Sequence, residues 1–386
     1  MDIASLHLCT SDSWGGLELY ACTLMDELQK AGNTVYAICK PKSPVENFLR
    51  AHRIRYTHFP SFAPVSVRSV RFLRMLLRQH PVQVVHVHFH RDIWCASLAL
   101  RSDRERKLFL SIYMGVPKKN DLLHRYIYAR VDGILTSSQE LNKRLPHLYP
   151  VAPSKIHYLP YGRHIESYRR DGKKRAAIRE QYGVRADDIL VGTIVRIDPG
   201  KGVMDFAQSF RYIDERVRHR VKFMIVGEPT RKAKTHPGES PFEPKCEAYL
   251  REIESFIANN NTTGKIILTG YQDDLAGFLS AFDVFVFPSR DEMYSLVVLD
   301  AMCMSLPVVA ANAGGNVYQV KDNVNGLLYD VSDSRDLARK IVTYAENPRL
   351  GQQHAAAARE FVRYEHSMDK TIATLREMYR GEKLIR

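Results

Sequence analysis

The chain alternates, twice over, between short β-branched or apolar runs and longer amphipathic stretches, and few architectures accept that pattern. In the first half the runs fall at 2–9, 34–39, 54–58, 83–89, 107–113, 132–136 and 156–159, with helical periodicity at 17–31, 66–80, 92–101 and 138–145. Such alternation implies right-handed strand–helix–strand crossovers, hence a parallel, doubly wound sheet. Around 160–188 the alternation lapses into the polar, basic PYGRHIESYRRDGKKRAAIREQYG, which suits a connection. It then restarts, with runs at 189–195, 222–226, 265–269, 283–287 and 307–310 and helical stretches at 203–217, 243–259, 273–281, 294–304, 333–346 and 350–380. The expectation is an α/β chain of two domains of similar size, which 386 residues can support. The segment 228–244, EPTRKAKTHPGESPFEP, reads as a long polar loop, expected to be mobile.

Other classes are disfavoured by composition. No apolar run reaches the roughly 20 residues of a membrane-spanning helix, and the start MDIASLHLCTSD, with its early acid, reads as a first strand and not as a signal peptide. The six cysteines are scattered with no CxxC pair, which argues against a disulfide framework or a structural zinc site and suits a reducing cytosol. The net charge of +13 is lopsided: residues 1–185 carry 30 Lys+Arg against 15 Asp+Glu, the remainder 26 against 28. A basic first half points to an anionic partner there, with nucleic acid, an anionic membrane surface and a phosphorylated substrate as the classes, against a plain basic surface with no partner.

Ligands of open parallel sheets bind beyond the carboxyl ends of the strands, so the residues at those ends matter most. After the first strand comes TSDSWGG, where Gly15 and Gly16 allow close backbone approach and a helix start offers amides to an anion. The alternative is a mere tight turn. After strand 189–195 comes RIDPGKG, where Arg196 and Lys201 on a glycine-bearing loop make a natural diphosphate clamp. A solvated turn with ordinary surface cations is the competing reading. After strand 283–287 comes PSRDEMYSLVVLDAM, with Glu292 before a helix and Asp300 eight positions later; Gly314 and Gly315 follow strand 307–310. Cations for a diphosphate and acids for sugar or ribose hydroxyls, gathered at the strand ends of one sheet, describe a nucleotide-sugar site.

The run PSRDEMYSLVVLDAMCMSLPVVAANAGGNVYQVKDNVNGLL resembles the signature of the retaining GT-B glycosyltransferases of family 4. VRIDPGKG is similar to that family's diphosphate loop, SDSWGGLELYACTLMDELQKAGNTV to its N-terminal Gly-Gly loop and helix, and LPYGRHIESY to its interdomain segment. The resemblance implies two Rossmann-like domains across an interdomain cleft: an acceptor-binding domain at 1–165, a linker at 166–188, a nucleotide-sugar domain at 189–365, and a C-terminal helix at 366–386 packing back towards the first domain. It implies that Arg196 and Lys201 hold the diphosphate, Glu292 the donor-sugar hydroxyls and Asp300 the ribose diol. Backbone amides around Met293, Tyr294, Ser295 and Leu296 would serve sugar and phosphates, with Gly15 and Gly16 also at the donor. Glu292, Arg196 and Lys201 are the catalytic candidates, with no cofactor and no metal.

The sequence departs from the family at several places. Asp300 replaces a second Glu, Ser305 a usual Gly, Tyr318 a Glu common after the Gly-Gly turn, and Tyr113 or Met114 stands where many members have a histidine. In VVHVHFH, His86, His88 and His90 would share one face of a strand, too spread for one ion to gather easily; His88 or His90, with Tyr113 and Met114, are candidates to line the cleft. The stretch SVRSVRFLRMLLRQH gathers Arg68, Arg71, Arg74 and Arg78 opposite an apolar face, the pattern of either a Rossmann helix or a helix resting on anionic lipid. The resulting reading is a retaining, metal-independent transferase using a nucleotide sugar, UDP-linked by preference. Its acceptor would be a saccharide or lipid-linked saccharide in envelope or exopolysaccharide assembly, at the cytoplasmic face of a membrane. A GT-B epimerase or phosphorylase is the alternative, and a nucleic-acid-binding protein, for which no reader motif exists, is weaker still.

Overall fold

In the computed structural model, residues 3–63, 65–115, 117–232 and 239–382 are described. The chain divides into two compact units, Met1–Gly162 with Met368–Arg386, and Arg163–Ser367.

The first unit holds strands β1 (Ala4–Cys9), β2 (Thr34–Cys39), β3 (Arg55–His58), β4 (Val84–Val87), β5 (Lys107–Ile112), β6 (Gly133–Thr136) and β7 (Ile156–Tyr158). Helices α1 (Gly16–Lys30), α2 (Pro44–Ala51), α3 (Val67–Gln79), α4 (Ile93–Ala99), α5 (Leu122–Tyr128) and α6 (Gln139–Leu148) connect them. All pairings are parallel, in the order β3-β2-β1-β4-β5-β6-β7. The central strands are buried on both faces, which is why they read as near-continuous apolar runs. Ser43, Ser66, Asp121 and Ser138 each accept a backbone N–H at a helix start, so α2, α3, α5 and α6 begin where a capping side chain precedes an apolar stripe.

The second unit opens with α7 (Gly172–Gln181), capped by Asp171, inside the stretch that the sequence pattern presents as a connection. That helix is too rich in Lys and Arg to show an apolar stripe. It is anchored instead by Arg175 and Arg179, which bond the Ala281 carbonyl and the Asp283 carboxylate. Then follow β8 (Ile189–Ile194), α8 (Val203–Ser209), α9 (Glu215–Arg218), β9 (Val221–Val226), α10 (Pro244–Asn259), β10 (Ile266–Leu268), α11 (Leu275–Ala281), β11 (Val284–Phe287), α12 (Leu296–Cys303), β12 (Val308–Ala311), α13 (Asn316–Gln319), β13 (Leu327–Tyr329), α14 (Ser334–Glu346) and α15 (Pro348–Glu365). The sheet is again parallel, ordered β10-β9-β8-β11-β12-β13. Its core packs Phe206 on Phe223 with centroids 4.5 Å apart, with Val286, Tyr329 and Ile341 around them. Within 228–244, residues 233–238 lie outside the described residues, and Arg231 and Phe242 pair across the rest as an antiparallel bridge.

The expected helix over 350–380 is interrupted at His366–Ser367, and the last helix, α16 (Met368–Arg380), belongs to the first unit. There Tyr379 reaches His86 with its hydroxyl and Lys107 with its carbonyl.

Candidate functional site

A doubly wound sheet leaves a crevice where the strand order reverses, here between β8 and β11 in the second unit. The loops leaving those two strands carry RIDPGKG and PSRDEMYS, 91 positions apart at Lys201 and Glu292, and they meet there. Lys201 Nζ lies 2.9 Å from Glu292 Oε2 and 3.3 Å from the Asp291 carbonyl. Arg196, at the carboxyl end of β8, is exposed and makes no hydrogen bond or ion pair with any described residue. A paired lysine, an acid still partly open to solvent and an unengaged guanidinium therefore share one strand-end region of a single unit.

Backbone contacts hold these loops together. Gly202 has φ +66°, and a Cβ there would sit 2.1 Å from the Pro288 carbonyl oxygen, so only glycine fits. Arg290 N–H donates to the Gly200 carbonyl at 3.2 Å and its guanidinium lies 3.1 Å from Asp205. Gly314 and Gly315 press on the same loop from β12: added Cβ atoms would meet the Glu292 and Met293 carbonyl oxygens at 2.5 and 1.8 Å, and the Gly315 N–H donates to the Glu292 carbonyl at 2.7 Å. Their role in the structure is thus to seat the Glu292 loop.

Helix α12 follows. Tyr294 is buried and its hydroxyl sits 2.7 Å from His366 Nε2. The Ser295 N–H, expected to face a ligand, is already donated to Gln319 Oε1 at 2.8 Å, and Gln319 Nε2 returns a 2.8 Å bond to the Ser295 carbonyl. The amide-sided expectation is corrected at that residue: a buried peptide unit at the helix start needs a partner, and Gln319 supplies both. Met293 lies in the loop just before, and Leu296 opens the helix. Asp300, inside α12, accepts at Oδ1 from Arg163 Nε at 2.6 Å and from the Tyr168 hydroxyl at 2.7 Å. These two partners hold in place a carboxylate that an apolar helix would otherwise bury at a cost. Burial, then the Asp300 charge, pushes the Tyr168 phenol well up. Ser305, at the position of the usual glycine, adopts φ +54°.

The first unit gathers different groups. His7 on β1 and His86 on β4 are register partners, and His88 follows on the same face. The rings form a chain: Ser5 Oγ lies 3.0 Å from His7 Nε2, His7 Nδ1 lies 2.9 Å from His88 Nε2, and His88 Nδ1 lies 2.9 Å from the Tyr113 hydroxyl. His86 faces Tyr379 at 2.6 Å and Ser111 at 2.8 Å. Burial lowers His7 to about 3 and holds His86 and His88 well below the usual imidazole range. Burial likewise raises the Tyr113 phenol.

His90 does not share that face, because β4 ends at Val87 and the chain turns through His90–Asp92; its Nε2 faces the hydroxyls of Tyr128 and Tyr149 at 2.7 and 3.0 Å. Burial, with Lys119 and His124 nearby, lowers it to about 4. The third member of the cluster is His7, visible beforehand only as a polar residue in ASLHLC. One nitrogen from each of His7, His86 and His88 lies within 4.8 Å of the others, yet all six ring nitrogens face protein partners, so an ion would have to displace existing bonds. His88 is buried, Tyr113 half-buried and Met114 exposed. Gly15 has extended backbone and an added Cβ would meet only Glu18 Oε2 at 3.5 Å, so the fold itself does not demand glycine there. Gly16 begins α1, and Glu18 closes its first turn by accepting from the Gly15 N–H and the Ser11 hydroxyl at 3.0 and 2.6 Å.

Two family models match the chain: Glycosyltransferase Family 4 over residues 14–167 and Glycosyl transferases group 1 over residues 174–361. A D-inositol 3-phosphate glycosyltransferase of Nocardioides sp. is 25% identical over 94% of this chain and 85% of its own length. That of Saccharomonospora viridis is 27% identical over 68% of this chain and 59% of its own length, and several other relatives are likewise matched over less than two thirds of theirs. Among solved structures, a glycosyltransferase from Rickettsia africae superposes with a TM-score of 0.85 at 18% identity over 98% of both chains. HepE of Anabaena in complex with UDP superposes with a TM-score of 0.82 at 19% identity, over 99% of this chain and 100% of that one.

Proposed function

Because the chain belongs to the family-4 glycosyltransferases of the GT-B fold, we propose that it moves a sugar from a UDP-linked donor to a saccharide or lipid-linked saccharide acceptor, with retention at the anomeric carbon. The observation that carries this reading is the Lys201–Glu292 pair at the β8–β11 crevice, beside the unengaged Arg196. In this reading Lys201 and Arg196 stabilise the charge that develops on the departing diphosphate. Glu292 accepts from donor-sugar hydroxyls and, through its pairing, orients the lysine. Asp300 serves the ribose diol, in competition with or alongside Arg163 and Tyr168. The leaving phosphate takes the acceptor proton, so the reaction needs neither a covalent nucleophile nor a metal. In this reading Gly15 and Gly16 are the first unit's candidates for binding the donor, and Tyr113 and Met114 stand at a strand end of the acceptor-binding unit.

A UDP-sugar as donor is supported by the neighbours solved with UDP and UDP-glucose. An envelope-type acceptor draws support from the likeness to a lipopolysaccharide outer core galactosyltransferase, with a TM-score of 0.69. The proposed place of action is the cytoplasmic side of a membrane, as a peripheral protein.

A thermal-shift panel of nucleotides and nucleotide sugars tests the donor: UDP or a UDP-sugar should raise the unfolding temperature, whereas a response to GDP alone would overturn the UDP assignment. With the responding donor in hand, the anomeric configuration of the product reads retention directly, and inversion would refute it. Activity abolished by a chelator and restored by magnesium would refute metal independence.

A further inference from the structure

We infer that Asp300 offers a donor ribose one carboxylate oxygen and not two, so that the nucleotide site accepts 2′-deoxyribonucleoside diphosphates almost as well as ribonucleoside diphosphates. The inference rests on the donor reading above and adds to it the class of nucleotide that the site admits.

Asp300 Oδ1 takes two donors at once, Arg163 Nε at 2.6 Å and the Tyr168 hydroxyl at 2.7 Å. Burial, then the Asp300 charge, raises the Tyr168 phenol, which therefore stays protonated and donates. Neither donor is loosely placed. The Arg163 side chain is 11% exposed, and its second arm reaches towards the Leu296 carbonyl at 3.5 Å. Arg359 of α15 bonds the Ile165 and Tyr168 carbonyls at 3.0 and 3.2 Å and the Cys303 carbonyl as well, which clips the Tyr168 turn onto the end of α12. Oδ1 is thus occupied by charge-assisted bonds. Oδ2 meets no donor among the described residues, and the Asp300 side chain keeps 22% of its surface open to solvent.

A ribose diol matches a carboxylate when each hydroxyl donates to its own oxygen. A site built that way rejects a nucleotide lacking one hydroxyl, because an oxygen of the site is then left without a donor. Here Oδ1 has its donors whether or not a nucleotide is present. Oδ2 alone faces the ligand, and either hydroxyl of the pair satisfies it. When the 2′-hydroxyl is missing, the 3′-hydroxyl takes its place and no oxygen is orphaned. The short side chain works in the same direction. An aspartate cannot swing both oxygens outward without breaking the bonds to Arg163 and Tyr168.

Calorimetric titration of the full chain with UDP and with 2′-deoxy-UDP, which share base and diphosphate, tests this. The two dissociation constants should agree within about threefold, where a contact through both oxygens would separate them by about tenfold or more. Tyr168→Phe removes one donor from Oδ1 and keeps the ring, so Oδ1 regains room for a hydroxyl and the ratio should rise to about tenfold. Both nucleotides are read on the same variant, so a general loss of affinity cancels in the ratio. Rejection of 2′-deoxy-UDP by about tenfold or more in the unaltered protein would overturn the inference and leave the donor reading standing. An unmoved ratio in Tyr168→Phe would overturn it as well. Binding of neither nucleotide would overturn the donor reading itself, and the inference with it.

Discussion

The two sheets share a topology and put opposite chemistry at their centres. In the second unit the groups at the strand ends are charged and partly open: Lys201 paired with Glu292, and Arg196 unengaged. In the first unit the polar groups near the sheet centre are neutral, buried and bonded to one another, from Ser5 through His7 and His88 to Tyr113. Charges kept near water can exchange a protein partner for a ligand at modest cost. Imidazoles sealed from water hold a fold together and resist protonation. A shared fold therefore does not share function between its two copies; the placement of charge does.

Removing charge from the second unit tests that contrast most severely. Lys201→Ala and Glu292→Gln should each lower turnover by at least about 100-fold. Because the pair is partly exposed, unfolding stability should fall by no more than about 1 kcal/mol. Transfer assays beside denaturant titrations separate the two effects, and near-normal turnover in both variants would break the site assignment.

Acid should find the first unit instead. Below about pH 6.5 the unfolded chain protonates His7, His86 and His88 while the folded chain, with pKa values held far lower, does not. The unfolded state then binds more protons, so stability is lost as pH falls, by about 1 kcal/mol per histidine between pH 7.5 and 5.5. The Asp92 carboxyl, raised to about 7 by burial, works the other way, relieved as pH falls, but it is one group against three. Urea midpoints across that range should therefore drop towards acid; a flat profile would show that the cluster is hydrated or already charged.

The glycines sharpen the comparison further. Gly202→Ala should cost about 2 kcal/mol or more, since the added methyl meets the Pro288 carbonyl in a left-handed conformation. Gly15→Ala should leave stability within about 0.5 kcal/mol, and under the proposed donor contact it should raise KM. An unchanged KM would release Gly15 from the site. One change should be a gain: Ser305→Gly should stabilise the second unit by up to about 1 kcal/mol, because φ +54° suits glycine better than serine. Calorimetry on the variant decides it.

Local pattern was enough to reveal the α/β class, the parallel strands and the doubly wound architecture. A strand buried on both faces must be a short apolar run, and a crossover helix must show a stripe, so both periodicities are written along the chain. The residue types around Lys201 and Glu292 were also legible, because a cation and an acid placed after two strands are written in the side chains themselves. Helix α7 was not legible, since it is held by arginines on carbonyls of α11 and not by an apolar stripe. Neither were the partners that join residues far apart in sequence: Arg163 and Tyr168 on Asp300, Gln319 on Ser295, and His7 beside His88. Sequence determines which groups each strand carries to its end. Only tertiary structure decides which of them are already satisfied by the protein, because that depends on distances between segments with no local signature of their meeting.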